Sequence, residues 1–289
     1  MGRFRFRGRA RKTREPRPDR IPIRAIFPNL ITSLAACAGI TSIAMASEGR
    51  FEHALYALLV ACVCDGMDGR VARLLKASSK LGAELDSLAD FVNFGVAPAM
   101  FMFFWLTGKW VGNTAPFADH LTVRLVLGCS LFYAMCDCFR LARFNTMLEA
   151  DPIPYWKHFF TGVPAPGGCW MVLTPAILTL PLTGVESMAG FVEFMHSPYL
   201  GMAVLLFVGS LMASRLPTIS LKALHISRKA MLPTMACLLL LIGMLVTNLW
   251  LTLGVIGFFY VLTVPLTGLV FLKVRAAYEK GLTSTATKG

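Results

Sequence analysis

Charge is what this sequence has least of. Only 15% of its 289 residues are Asp, Glu, Lys or Arg, against 56% hydrophobic, whereas a soluble domain carries about 25% charged residues. So little polar side chain cannot cover a water-soluble globule, and no stretch of the chain is left over for a separate soluble domain. Acidic residues are scarcer than basic ones, 16 against 28, which leaves a formal net charge of +12. No Cys-x-x-Cys pair with a matching His or Cys partner occurs, which argues against zinc. The eight cysteines, Cys37, Cys62, Cys64, Cys129, Cys136, Cys138, Cys169 and Cys237, all lie in or beside apolar runs and read as small hydrophobes. The histidines are scattered, and none has a metal partner at helical spacing. Neither a solenoid repeat nor a low-complexity segment is present.

What the chain does have is apolar length. A helix of roughly 20 apolar residues crosses a bilayer, and eight runs approach or reach that length: about 26–46, 51–64 (continuing helically through Asp65 and Arg73), 81–106, 121–142, 159–182, 199–213, 230–249 and 251–274. Pro28 stands where the first helix can begin. Basic residues alternate between the gaps. Arg70, Arg73, Lys76 and Lys80 follow the second run. Arg140, Arg143, Lys157 and His158 follow the fourth, and Arg215, Lys222, Arg228 and Lys229 the sixth. Of Lys and Arg, the other gaps hold only Arg50, only Lys109, or none, the last of these carrying Glu186 and Glu193. That alternation predicts an all-α, polytopic membrane helix bundle of eight transmembrane helices with both termini cytoplasmic. It also explains the net charge through topology and anionic membrane lipids, so no nucleic-acid partner is expected. Nine of the first twenty residues are Arg or Lys; this arm reads either as an interfacial segment on anionic lipid or as a solvated tail that fixes topology.

Four acids need a reason. A carboxylate at the membrane end of a helix is costly to insert, and charged residues within spans usually mark function. Asp65 and Asp68 are three apart and share one helix face; Asp86 and Asp90 are four apart and share another. A short cytoplasmic hairpin joins the two spans, so the faces can meet. Four carboxylates in one place repel unless a cation sits among them, and carboxylate oxygen suits a hard divalent cation: Mg2+, Mn2+ or Ca2+. Two ions use four carboxylates more fully than one. Gly69 and Gly82, each one turn from an aspartate, leave room for a close approach, and Arg73 is in reach of a phosphate. Together these groups form a site for a bound diphosphate and metal-assisted displacement at phosphorus.

The spacing Asp65-x2-Asp68-Gly69-x2-Ala72-Arg73-x8-Gly82-x3-Asp86-x3-Asp90 resembles, position for position, the signature of the CDP-alcohol phosphotransferase family. The stretches 86–98, 139–145 and 160–166, with the Pro28-Asn29-x2-Thr32 start, are similar to phosphatidylserine synthases within it. The likeness covers about residues 26–215, taken as the catalytic core. It leaves 1–25 as the basic arm, 216–274 as a C-terminal helix pair and 275–289 as a cytoplasmic tail. The resemblance implies transfer of a phosphatidyl group from CDP-diacylglycerol to an alcohol, with CMP leaving, by a homodimer in a bacterial cytoplasmic membrane. It implies that Asp65, Asp68 and Asp86 bind metal, with Asp90 on a second ion and also taking the acceptor's proton. Gly69, Arg73 and Gly82 would receive the diphosphate, with Asn29 and Thr32 near the nucleotide. Position favours Asp90 as base as well, since it is the last of the four and the nearest to the membrane.

L-serine, the acceptor the resemblance points to, is a zwitterion. Its carboxylate wants Arg, and its ammonium a carboxylate or amide. Arg140 and Arg143, with Asn145 nearby, suit the first; Glu84 and Asn93 suit the second. Alternatively the two arginines are ordinary anchors of the positive-inside pattern. Asp137, inside the fourth run, reads either as a functional acid or as the ion-pair partner of Arg140 three residues on, and the spacing favours the pair. Other acceptors fit the same chemistry: glycerol 3-phosphate, inositol phosphate or choline. A cation or proton transporter would want acids at mid-membrane and inverted repeats, and neither is present.

Overall fold

A computed structural model of the chain describes residues 23–77, 79–108, 119–147, 159–182, 184–214, 217–219 and 231–263. The expectations for the arm, the tail, the end of the eighth run, Lys109, Lys157, His158, Arg215, Lys222, Arg228 and Lys229 fall outside these residues. The described chain is helical apart from one short ladder. In order come α1 (Ile23–Ser47), α2 (Phe51–Leu74), α3 (Lys80–Asp90), a π-helical turn (Phe91–Val96), α4 (Ala97–Thr107), α5 (His120–Met147), β1 (Phe159–Thr161) and α6 (Ala165–Thr179). After two 3-10 turns follow α7 (Ala189–Met195), α8 (Pro198–Ala213), β2 (Pro217–Ile219) and α9 (Met231–Thr247), then α10 (Leu249–Thr263).

Each of the eight apolar runs holds a helix. Four are long and apolar enough to cross a membrane: Ile26–Ser47, Lys80–Thr107, His120–Thr146 and Ala165–Leu182. The bent pair Glu186–Met195 and Pro198–Ala213, turning by 51°, makes a fifth if taken as one span. α2 is not among them; its 24 residues include Asp65, Asp68, Arg70 and Arg73.

Two starts differ from the sequence reading. α1 begins at Ile23, so Pro28 lies inside it. The fifth run does not begin as a helix: β1 pairs antiparallel with β2, Phe160 opposite Thr218, and α6 starts only after Pro164. Proline disfavours helical backbone in the residue before it but is welcome in a first turn, so Pro164 and Pro166 push the start of the helix downstream. Gly162 precedes it with φ +80, and a Cβ there would stand 3.0 Å from the carbonyls of Met212 and Ser214. Only glycine allows both that backbone and that approach to the end of α8.

The core sits where α4, α5, α6 and α8 meet, around Phe101, Met102, Leu106, Tyr133, Leu173, Leu205 and Met212. Missing side chains let helices close in: Gly201 of α8 lies under Leu106, and Gly209 against the backbone of Tyr133. Leu30, Leu34, Val60, Leu131 and Phe207 point outward, as a lipid-facing surface requires. α9 buries none of its residues.

Candidate active site

α1 and α2 form a tight hairpin. It is closed by Gly49 at φ +77 and by bonds from Gly49 N–H to Ala46 O and from Arg50 N–H to Met45 O, the paired bonds of a Schellman cap. α2 ends the same way, with Lys76 at φ 49 and Ala77 N–H bonded to Ala72 O. Three residues later the Ser79 hydroxyl caps α3 by accepting from Gly82 N–H at 3.0 Å. The chain therefore reverses within one short connection, and equal depths face each other. Asp68 lies six residues before the end of α2 and Asp86 six after the start of α3; Asp65 lies nine before and Asp90 ten after. At about 1.5 Å per residue these are levels roughly 9 and 14 Å below the turn.

The side chains follow that arithmetic. Asp65, Asp68 and Asp86 each offer one oxygen, all within 4.8 Å of one another. Asp68 is in hydrogen-bonding reach of Asp86, and Asp90 in reach of Asp65. Asp68 is only 4% exposed. The Thr32 hydroxyl of α1 donates to its Oδ2 at 2.6 Å, and the Gly69 N–H donates to its Oδ1. α1 packs against both α2 and α3 and is the wall that holds the two acidic faces together.

The donor set suits a hard cation. An octahedral Mg2+ at about 2.1 Å from each ligand spreads its oxygens over at most roughly 4.2 Å, and Ca2+ over somewhat more. The three carboxylates stand at nearly that spread, and no cationic side chain forms an ion pair with them among the described residues.

The two signature glycines differ. Nothing lies within 4 Å of a Cβ built on Gly69, so that face is open. At Gly82 a Cβ would stand 2.9 Å from Asn29 Oδ1; its gap is filled by α1, which brings Asn29 and Gly82 together. Arg73 is exposed in the last turn of α2.

Beyond Asp90 the helix widens into the π turn, a form often found at functional sites. Pro98 has no N–H to give the Phe94 carbonyl, and the buried Tyr133 hydroxyl of α5 donates to that carbonyl at 2.8 Å instead. The turn sends two residues in different directions. Asn93, fully buried, packs on Gly39 of α1, and neither amide atom has a hydrogen-bond partner among the described residues. Gly95 faces α5, where a Cβ would stand 2.8 Å from Asp137 Oδ2.

The residues expected around serine are not gathered in one place. Arg140 is half-buried, with its guanidinium in the field of both Asp137 and Asp90. Arg143 Nη1 donates to the Ser214 carbonyl at 3.2 Å, tying α5 to the end of α8. Asn145 Nδ2 donates to Ser87 Oγ at 3.0 Å on an exposed rim, and Glu84 is exposed. Asp137 and Arg140 are electrostatic neighbours, but the expected ion pair between them is not formed among the described residues. Tyr260 of α10, which the sequence reading did not single out, lies over Gly167, its Oη 2.7 Å from where a Cβ would be, and is also in the field of Arg140. It belongs to the less distinctive C-terminal pair, and no local spacing signals it.

Against known families, the model for CDP-alcohol phosphatidyltransferases matches residues 25–207. The chain belongs to that family. It is 38% identical over 186 residues, 64% of its length, to a Mycobacterium bovis protein named CDP-diacylglycerol–serine O-phosphatidyltransferase, of which this stretch is 59%. A Helicobacter pylori protein of the same name is 36% identical over 154 residues, 53% of this chain and 58% of the relative. One from Bacillus subtilis is 32% identical over 177 residues, 59% of this chain and 90% of the relative. The chain thus spans less than two thirds of the mycobacterial and Helicobacter relatives. All eight signature positions, Asp65 to Asp90, fall inside the family match.

Proposed function

We infer that the protein transfers the phosphatidyl group of CDP-diacylglycerol to L-serine, giving phosphatidylserine and CMP. The observation that carries this is the convergence of Asp65, Asp68 and Asp86 on one point, with Asp90 one level deeper, in a chain of the family whose relatives bear that name. Divalent ions, two of Mg2+ or Mn2+, would be held by Asp65, Asp68, Asp86 and Asp90 and would supply neutralisation of the charge that builds on the bridging phosphates. The open face at Gly69, with Arg73 one turn on, receives the diphosphate, and Asn29 and Thr32 stand on α1 beside it. Asp90 is the general base for the acceptor hydroxyl: it sits deepest of the four, and its Oδ1 is buried with no hydrogen-bond partner among the described residues. Arg140 takes the acceptor carboxylate; Arg143, Asn145, Glu84 and Asn93 remain the further candidates for acceptor contacts.

The catalytic core is assigned to 26–215, followed by a C-terminal transmembrane helix pair over 216–274. Eight crossings with both termini in the cytoplasm follow from the basic gaps; this puts the acids on the cytoplasmic side of a bacterial inner membrane. A homodimer is the expected assembly on family grounds. The deciding experiment is CMP release from CDP-diacylglycerol by the purified protein, comparing serine, glycerol 3-phosphate, inositol phosphate and choline, with and without EDTA. CMP release that is strongest with serine and abolished by EDTA supports the reading. Preference for another acceptor reassigns the alcohol, and activity that survives EDTA removes the metal.

A further inference from the structure

Asp137 is 0% exposed, and both its carboxylate oxygens lack a hydrogen-bond partner among the described residues. A buried carboxylate left so costs several kcal/mol, yet the fold makes room for it: Gly95 has no side chain where Asp137 Oδ2 stands. One helical turn on, the half-buried Arg140 has its Nε buried and unpartnered as well. The two opposite charges feel each other but do not close into an ion pair. Asp90, with its own unpartnered Oδ1, lies within the field of both. Two carboxylates and a guanidinium, each with an unpartnered buried atom, are therefore electrostatic neighbours beside the contact of the π turn with α5, and Tyr260 of α10 is in the field of Arg140.

A carboxylate and a guanidinium held close but apart fit a molecule that carries both opposite charges. We propose that Asp137 is the specificity-determining residue for a zwitterionic acceptor: it receives the ammonium while Arg140 receives the carboxylate and Asp90 the hydroxyl. This rests on the phosphatidyltransferase reading above and goes beyond it by naming the ammonium's partner. Glu84 stands exposed and Asn93 packs against α1, so neither shares this neighbourhood as Asp137 does. A neutral or phosphorylated alcohol would leave Asp137 uncompensated, so the pocket selects against such acceptors as well as for an amino acid.

The test uses purified full-length protein with CDP-diacylglycerol and Mn2+. CMP release is followed with L-serine, with 3-hydroxypropionate (serine without its ammonium) and with ethanolamine (serine without its carboxylate). The wild type should use serine at least about a hundredfold better than 3-hydroxypropionate in kcat/KM, since a charged partner left unpaired costs that much. Asp137→Asn should raise the serine KM about ten- to a hundredfold with a smaller change in kcat, and should shrink the preference over 3-hydroxypropionate to a few-fold. CDP with Mn2+ should still raise the melting temperature of the variant, which reports an intact donor site. A purely structural Asp137 would lower stability and kcat and leave the acceptor preference untouched; that result overturns the proposal. If Asp137→Asn does not fold, the wild-type comparison decides, and equal use of serine and 3-hydroxypropionate overturns it. Should the wild type bind CDP yet release no CMP with any acceptor, the phosphatidyltransferase reading itself has failed and this inference falls with it.

Discussion

The two halves of the helix Lys80–Thr107 obey opposite rules. In α3, before the π turn, Leu81, Glu84 and Leu88 are exposed, and the inward face carries Asp86 and Asp90. In α4, after it, Phe101 and Met102 are 0% exposed and no charge occurs. The first half spends little on packing and holds carboxylates that repel one another. The second is buried among α5, α6 and α8 and keeps the first in place. One continuous helix thus separates stability from chemistry, with the wider π turn as the seam, and Tyr133 of α5 fastens that seam through the Phe94 carbonyl.

Substitutions on each side should separate the same way. Asp86→Asn should lower kcat for the proposed serine reaction by at least about a thousandfold, roughly 4 kcal/mol, because the proposed ion would lose a charged ligand. Its thermal stability should stay near wild type, since shape is kept and repulsion is relieved. EDTA should produce a similar loss in the wild type, and added Mn2+ should restore the wild type alone. Equal activity of Asp86→Asn and wild type would put the chemistry elsewhere. Phe101→Ala, in the other half, should cost about 3 kcal/mol of stability in a denaturation titration, by opening a cavity in packed core, with the serine KM unchanged. A large KM shift there would show that the halves are not separate.

Tyr133→Phe tests the seam. Losing the bond to the Phe94 carbonyl should cost about 1–2 kcal/mol of stability. It should also lower kcat several-fold, because the π turn positions both Asp90 and the residues facing Asp137; a stability loss with kcat intact would confine the seam to a structural role. The smallest effect contrasts two glycines of α2. Nothing lies within 4 Å of a Cβ on Gly66 or Gly69, so alanine at either should stabilise the helix by about 0.5–1 kcal/mol. Only Gly69→Ala should also raise the KM for CDP-diacylglycerol, several-fold, if its face receives the diphosphate as proposed. Equal donor KM values for both variants would remove Gly69 from the site.

Much of the site was legible as spacing. Three and four residues between acids put each pair on one helix face whatever the rest of the fold does, and a short turn between two helices brings equal depths together. What spacing could not carry is contact between distant parts of the chain. Gly82 read as an opening for a phosphate, yet Asn29 of another helix fills it. Asp137 and Arg140 read as an ion pair because they are three apart, yet burial holds them close without joining them. Apolar length opens the fifth run at Phe159, but the helix starts only past Pro164, after a strand whose partner lies more than fifty residues away. Apolar length alone marks where a helix can form, and each of the eight runs holds one.

Local periodicity alone, then, determined that this chain is a set of apolar helices with four carboxylates on two facing surfaces, because helix geometry is set by neighbours within one turn. Only the tertiary structure decided which charges go unpartnered, which glycine stays open, that Tyr133 bonds the Phe94 carbonyl and that Tyr260 comes into the field of Arg140. Those outcomes depend on side chains far apart in sequence competing for the same buried space.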